Sequence, residues 1–139
     1  NKQTKMKNKY YAKILAKDEI GLQYISACCE DAKIMVDNIK YLKKNKIFLL
    51  HMTRLDNEKN KMREINSICK FEFIDNVKSI NIDQSNKKKV LELLAINPYK
   101  KDTKINITLL FKNNAIITLD SEIIEVILED QKIKDDKDL

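Results

Sequence analysis

Ile105-Asn106-Ile107-Thr108-Leu109-Leu110-Phe111, then Lys112-Asn113-Asn114 and Ala115-Ile116-Ile117-Thr118-Leu119, is the stretch that decides the fold. Successive side chains of a strand point to opposite faces, so Ile105, Ile107, Leu109 and Phe111 share one face and Asn106, Thr108, Leu110 and Lys112 the other. Asn113-Asn114 sits where a two-residue hairpin turn belongs, returning the chain along Ala115–Leu119. The sequence holds a single glycine, Gly21. Asn therefore takes over glycine's duty in turns, because its side chain tolerates left-handed backbone better than most. A strand, a tight turn and a second strand make an antiparallel pair.

Working toward the C-terminus, Ile124, Val126 and Leu128 alternate as a strand would. Ile123, Ile124, Ile127 and Leu128 also fit a helix, but the β-branched content favours the strand. Residues 131–139 form a charged tail. Working back, Val90, Leu91, Leu94 and Ala95 recur at helical spacing within 83–104, which predicts a short second helix ended by Asn97-Pro98. Val77 to Ile82 and Ile68 to Ile74 read as strands with a break at Asp75-Asn76. The polar run 56–64 reads as a loop. Ile47 to Leu55 is a long strand after a turn at Lys44-Asn45, and the pairs Ile34/Val36 and Ile39/Tyr41 mark short ones.

Asp18 is a good helix N-cap with Glu19 in the first turn. Leu22, Ile25, Cys29 and Ala32 then form an apolar stripe, giving a helix over 18–31. Gly21 inside it costs about 1 kcal/mol relative to Ala, which suggests that another element approaches closely there. Residues 10–16 supply a first strand. The expectation is a single α+β domain over 10–130 between a flexible basic arm (1–9) and the tail. It would be a mostly antiparallel sheet or half-barrel of about seven to nine short strands, with an early covering helix and a short second helix.

Composition agrees. The chain has 139 residues, of which 43% are apolar and 35% charged, enough for one domain burying roughly two-thirds of its unfolded-chain surface. The longest apolar runs, such as Ile47 to Leu50 and Leu93 to Ile96, fall far short of the ~18 residues of a spanning helix, so no membrane is expected. One glycine excludes a phosphate loop, a GxGxxG turn and a GxSxG elbow. Lys2, Lys5, Lys7, Lys9, Lys13 and Lys17 precede the first acid, Asp18, so the net charge of +6 resides in residues 1–17. Such an arm could contact nucleic acid or an acidic partner. The rest of the chain, with only Arg54 and Arg63 as arginines and few aromatics, is poorly equipped for base readout. Cys28, Cys29 and Cys69 are an odd number without spaced pairs, which fits a reducing cytoplasm. A vicinal Cys28–Cys29 redox pair is less expected than two small buried side chains. With one histidine and no CxxC, no zinc site and no cofactor are expected.

Several blocks carry a resemblance. They are Ile25-Ser26-Ala27 to Glu30-Asp31-Ala32, Phe48 to Arg54, Leu91-Glu92-Leu93-Leu94-Ala95-Ile96, Ile105 to Phe111, Ala115-Ile116 with Leu119, and Asp120 through Glu122-Ile123-Ile124-Glu125 to Asp130. In this order and spacing the chain resembles the bacterial domain-of-unknown-function family 2948 (DUF2948) from about Leu15 to Asp130. It departs in having Arg54-Leu55 where the family tends to Arg-Phe, and in being poorer in Arg and Gly. The resemblance implies a stand-alone cytoplasmic domain and no assigned activity.

Three sets of residues carry chemistry. Arg54, an arginine in a chain that otherwise uses Lys, shares the strand face of Phe48, Leu50 and Met52. It reads either as a carboxylate or phosphate clamp or, preferably, as an ion pair with an acid such as Asp120 or Glu122. His51 lies on the opposite face beside Leu49 and Thr53, with no nucleophile or acid close in sequence. Asp120, Glu122, Glu125, Glu129 and Asp130 could pair as catalytic or metal-binding carboxylates, but read better as a solvated face opposite Ile124, Val126 and Leu128. The leading expectation is a non-catalytic protein-binding or accessory module, self-associating or engaging a partner through an exposed strand edge. The alternatives are an RNA- or anion-binding protein using the six N-terminal lysines, and a small enzyme with Arg54, His51 and a carboxylate in one pocket.

Overall fold

The computed structural model describes residues 11–58 and 61–132. The basic arm, Lys2, Lys5, Lys7 and Lys9 included, and the tail beyond residue 132 lie outside them. Ten strands run through the described residues: β1 (Lys13–Ala16), β2 (Lys33–Met35), β3 (Ile39–Leu42), β4 (Ile47–Glu58), β5 (Lys61–Phe71), β6 (Ile74–Ile80), β7 (Val90–Lys101), β8 (Lys104–Phe111), β9 (Ile116–Ser121) and β10 (Val126–Asp130). One α-helix, α1 (Glu19–Cys28), follows β1. Every pairing is antiparallel. The order is β1-β10-β5-β4-β2-β7-β8-β9-β6, with β3 on the start of β4. No described helix is long and apolar enough to cross a membrane.

The sheet curls because two of its strands turn a corner together. β5 passes through Glu72-Phe73 into β6, and β9 passes through residues 122–125 into β10. Phe71 faces Val126 before the corner and Ile74 faces Ser121 after it. Phe73 takes a left-handed φ of 60°, and the corner is stitched by Glu72 N–H to Glu125 O and Glu122 N–H to Phe73 O. The path from β5 through β4, β2, β7, β8 and β9 therefore returns to β5's own continuation, β6. The inward faces meet in one core that includes Phe48, Leu50, Phe71, Leu93, Ile107, Leu109, Leu119, Val126 and Leu128. Phe48 and Phe71 pack edge to face at 5.9 Å.

The Ile105–Leu119 hairpin has the expected faces: Ile107, Leu109 and Phe111 are buried. Its turn is three residues, Lys112–Asn114, rather than two, closed by Phe111 N–H to Ala115 O, with Asn113 and Asn114 both at positive φ (64° and 62°). Asp18 caps α1, accepting the Gly21 N–H at 2.7 Å. α1 ends at Cys28, short of the expected 31; its Leu22 and Ile25 are buried, as are Cys29 and Ala32 just beyond its end, so α1 covers the core between β1 and β7. At Gly21 a side chain's Cβ would lie 3.1 Å from both Cα and Cβ of Ala16, which is why glycine stands there.

Four expectations need correction. Residues 83–104 hold no helix, since 90–101 is β7, the longest partner of β8. A bulge between Leu93 and Ala95 inserts one extra residue, so the buried positions run Leu91, Leu93, Ile96 and imitate a helical period. Pro98 is tolerated because the Ile96 N–H, two residues before it, already points away from β8, to Ser26 Oγ of α1 at 2.8 Å. Pro98's nitrogen faces the same side, where no strand pairs. Of the polar stretch expected to be a loop, 56–58 and 61–64 instead continue β4 and β5, with Asp56 opposite Arg63 and Glu58 opposite Lys61. The corner lies at Glu72-Phe73, whereas the break expected at Asp75-Asn76 is only a bulge within β6, between Ile74 and Asn76; described strands number ten rather than seven to nine.

Candidate functional site

Two places concentrate chemistry, and the first is built around Arg54. β4 turns Phe48, Leu50, Met52 and Arg54 inward, as alternation requires, and all four are buried. Arg54 donates from Nε to Asp130 Oδ1 (3.0 Å) and from Nη2 to Asp130 Oδ2 (2.8 Å), a two-pronged pair. Ser67 of β5 accepts from Arg54 Nε at 3.1 Å and donates to Asp130 Oδ1 at 2.6 Å. The Ala12 N–H, just ahead of β1, completes the carboxylate at 2.7 Å. The cluster thus ties β1, β10, β5 and β4, which are neighbours in that order in the sheet. The side-chain exposures are 7% for Arg54 and 0% for Asp130.

Asp130 corrects the sequence reading twice. It is Arg54's partner in place of Asp120 or Glu122, and it leaves the solvated face to share the inner one with Val126 and Leu128. Burial alone would push its carboxyl up, but the hydrogen bonds from Arg54, Ser67 and Ala12, with the guanidinium charge, outweigh this and hold it below the usual carboxylate range. Continuing the 126, 128 alternation by one step would have found it. The other acids disperse: Asp120 accepts from Asn106 Nδ2, Glu122 pairs with Lys46, and Glu129 is exposed. No group of three or more potential metal ligands occurs among the described residues.

Cys28 and Cys29 lie near this cluster, and burial favours the protonated form of all three thiols. Burial pushes Cys29 up to about 12 and Cys69 well above its ordinary value. Cys28 is also raised by burial, with Arg54 opposing. His51 is elsewhere. It is exposed on the outer face of β4 and borders an open basin of about 530 Å³ with Lys33, Thr53, Glu64 and Asn66. Of the N-terminal lysines within the described residues, Lys13 is exposed on this outer side near His51 and Lys17 is exposed ahead of α1. The structure does not bring Arg54 and His51 together.

The second place is the seam where the curl stops short. Among the described residues β6 pairs with β9 alone and β3 with β4 alone, so each presents one edge unpaired by them. Between them lies a cleft of about 320 Å³, bordered by Ile39 and Tyr41 of β3 and Val77 and Ser79 of β6, with Phe48 and Ile117 among its lining. At one end the seam is fastened by Ile74 N–H to Lys46 O (2.9 Å) and Tyr41 Oη to Ile74 O (2.8 Å). At the other, Val36 N–H donates to Lys89 O and Asp37 N–H to Lys87 O, both at 2.9 Å. Nothing in the sequence singled out this cleft. Its walls come from segments about forty residues apart, and only the corner at Phe73 brings them side by side.

A family model described as a protein of unknown function (DUF2948) matches residues 12–137. No curated protein matches the chain, and no solved structure does.

Proposed function

The chain belongs to the DUF2948 family, and on that premise we propose that it is a non-catalytic binding module that holds another protein at the seam between β3 and β6. The observation that carries this reading is the pair of edges, unpaired among the described residues, on either side of a cleft that mixes apolar side chains such as Phe48 and Ile117 with polar ones such as Asp37, Lys40 and Lys87. Free strand edges recruit further strands unless they are blunted. β6 is not blunted by proline or by a covering helix, and Ile80 on it is 57% exposed. The chemistry-bearing side chains favour the same reading. Arg54's fork is engaged by Asp130, the thiols are protonated at neutral pH, and His51 faces away from both.

A photo-crosslinking amino acid at position 80 of β6, compared with the same residue at the exposed position 24 of α1, tests it. A reproducible adduct of one mass with another protein from position 80 and none from position 24 is the expected result. Adducts from position 24 alone would place the partner on the helix and overturn the reading.

A further inference from the structure

We infer that the occupant of the β3–β6 seam is an extended acidic peptide segment carrying one bulky apolar side chain. This rests on the reading of the seam as a protein-binding site and names its partner's chemistry. Two independent features point the same way. The first is the cleft. At about 320 Å³, with Val36, Ile39, Tyr41, Phe48, Val77 and Ile117 around it, it has the size and lining to bury a large side chain. The backbone edges beside it are placed to bind the flanking main chain. Its ends are fastened, so it admits a short stretch of strand.

The second feature is charge. The two segments that bound the cleft, residues 36–46 and 77–89, contain eight lysines against two acids. The lysines are Lys40, Lys43, Lys44, Lys46, Lys78, Lys87, Lys88 and Lys89; the acids are Asp37 and Asp83. Among the described residues only Lys46 of the eight is in an ion pair, with Asp75 and Glu122. Lys40 and Lys87 line the cleft itself, and all eight are exposed. An edge this basic repels a second copy of itself and attracts a strand rich in Asp and Glu. Exposed lysines also keep the edges from stacking on one another in the free protein.

The test is a titration of the full chain, labelled with nitrogen-15, with three synthetic peptides. One is acidic with a central Leu, one is the same peptide with Ser for Leu, and one carries Lys in place of every acid. The acidic Leu peptide is expected to shift the amides of 39–41 and 77–80, with at least ten-fold weaker binding for the Ser peptide and for the double variant Lys40→Glu/Lys87→Glu. Both substitutions are on exposed side chains, and an unchanged amide spectrum away from the seam confirms the fold. Equal binding of the basic peptide, shifts confined to another surface, or no shifts at millimolar peptide overturn the inference. If the inference falls while the adduct at position 80 persists, the partner's chemistry is wrong and the seam reading stands. If that adduct is also lost, the seam reading falls with it.

Discussion

Asp130 is a fully buried carboxylate whose cost is met by four hydrogen bonds, and its worth shows when one partner is removed. Asp130→Asn leaves the Arg54 charge uncompensated and is expected to cost about 3–5 kcal/mol in urea unfolding. Arg54→Lys keeps the charge but loses the fork, so a smaller loss of about 1.5–3 kcal/mol is expected. The pH dependence has a definite sign. The folded carboxyl titrates below its unfolded value of about 3.9, so the cluster's contribution is complete above that pH. It is lost as pH falls through the depressed folded value. Melting temperature measured from pH 6 to pH 2 should therefore fall more steeply for the native chain than for Asp130→Asn. Arg54's inward face was legible because alternation along one strand is local. Its partner was not, because it lies 76 positions away on a strand that pairs with β5 rather than β4.

At the scale of the element, caps and turns were the most legible features, since each depends on a few neighbouring residues. Asp18→Ala removes the only side-chain cap of α1 and should cost about 1 kcal/mol in thermal unfolding. Asn113→Ala places a Cβ-bearing residue without a compensating amide at φ 64° and should cost about 1 kcal/mol, whereas Asn113→Gly should be tolerated. β7 was misread for a physical reason. Its bulge converts a spacing of two into a spacing of three at Leu93 to Ile96, and the sequence carries no separate mark of a bulge. The hairpin of β4 and β5 was misread because side chains toward its outer end, such as Leu55, Met62 and Glu64, are exposed. Polar side chains there are compatible with a strand whose stability comes from cross-strand pairs such as Asp56 with Arg63.

Across the described residues the molecule is a curled antiparallel sheet with two gaps, and they are treated differently. α1 covers one, between β1 and β7, using a stripe that alternation and helical spacing revealed from sequence. The other, between β3 and β6, stays open over an apolar floor and a basic rim. The eight lysines around it were visible as composition and carried no meaning until the corner at Phe73 brought their two segments together. Amide hydrogen exchange, followed residue by residue in the free protein, reads out whether the two edges of this seam are unpaired and accessible. Alternate amides of residues 39–42 and 76–80 should exchange orders of magnitude faster than those of residues 105–111 in β8, which is paired on both sides. Protection along 76–80 as uniform and as strong as in β8 would show the edge already covered and would contradict the account.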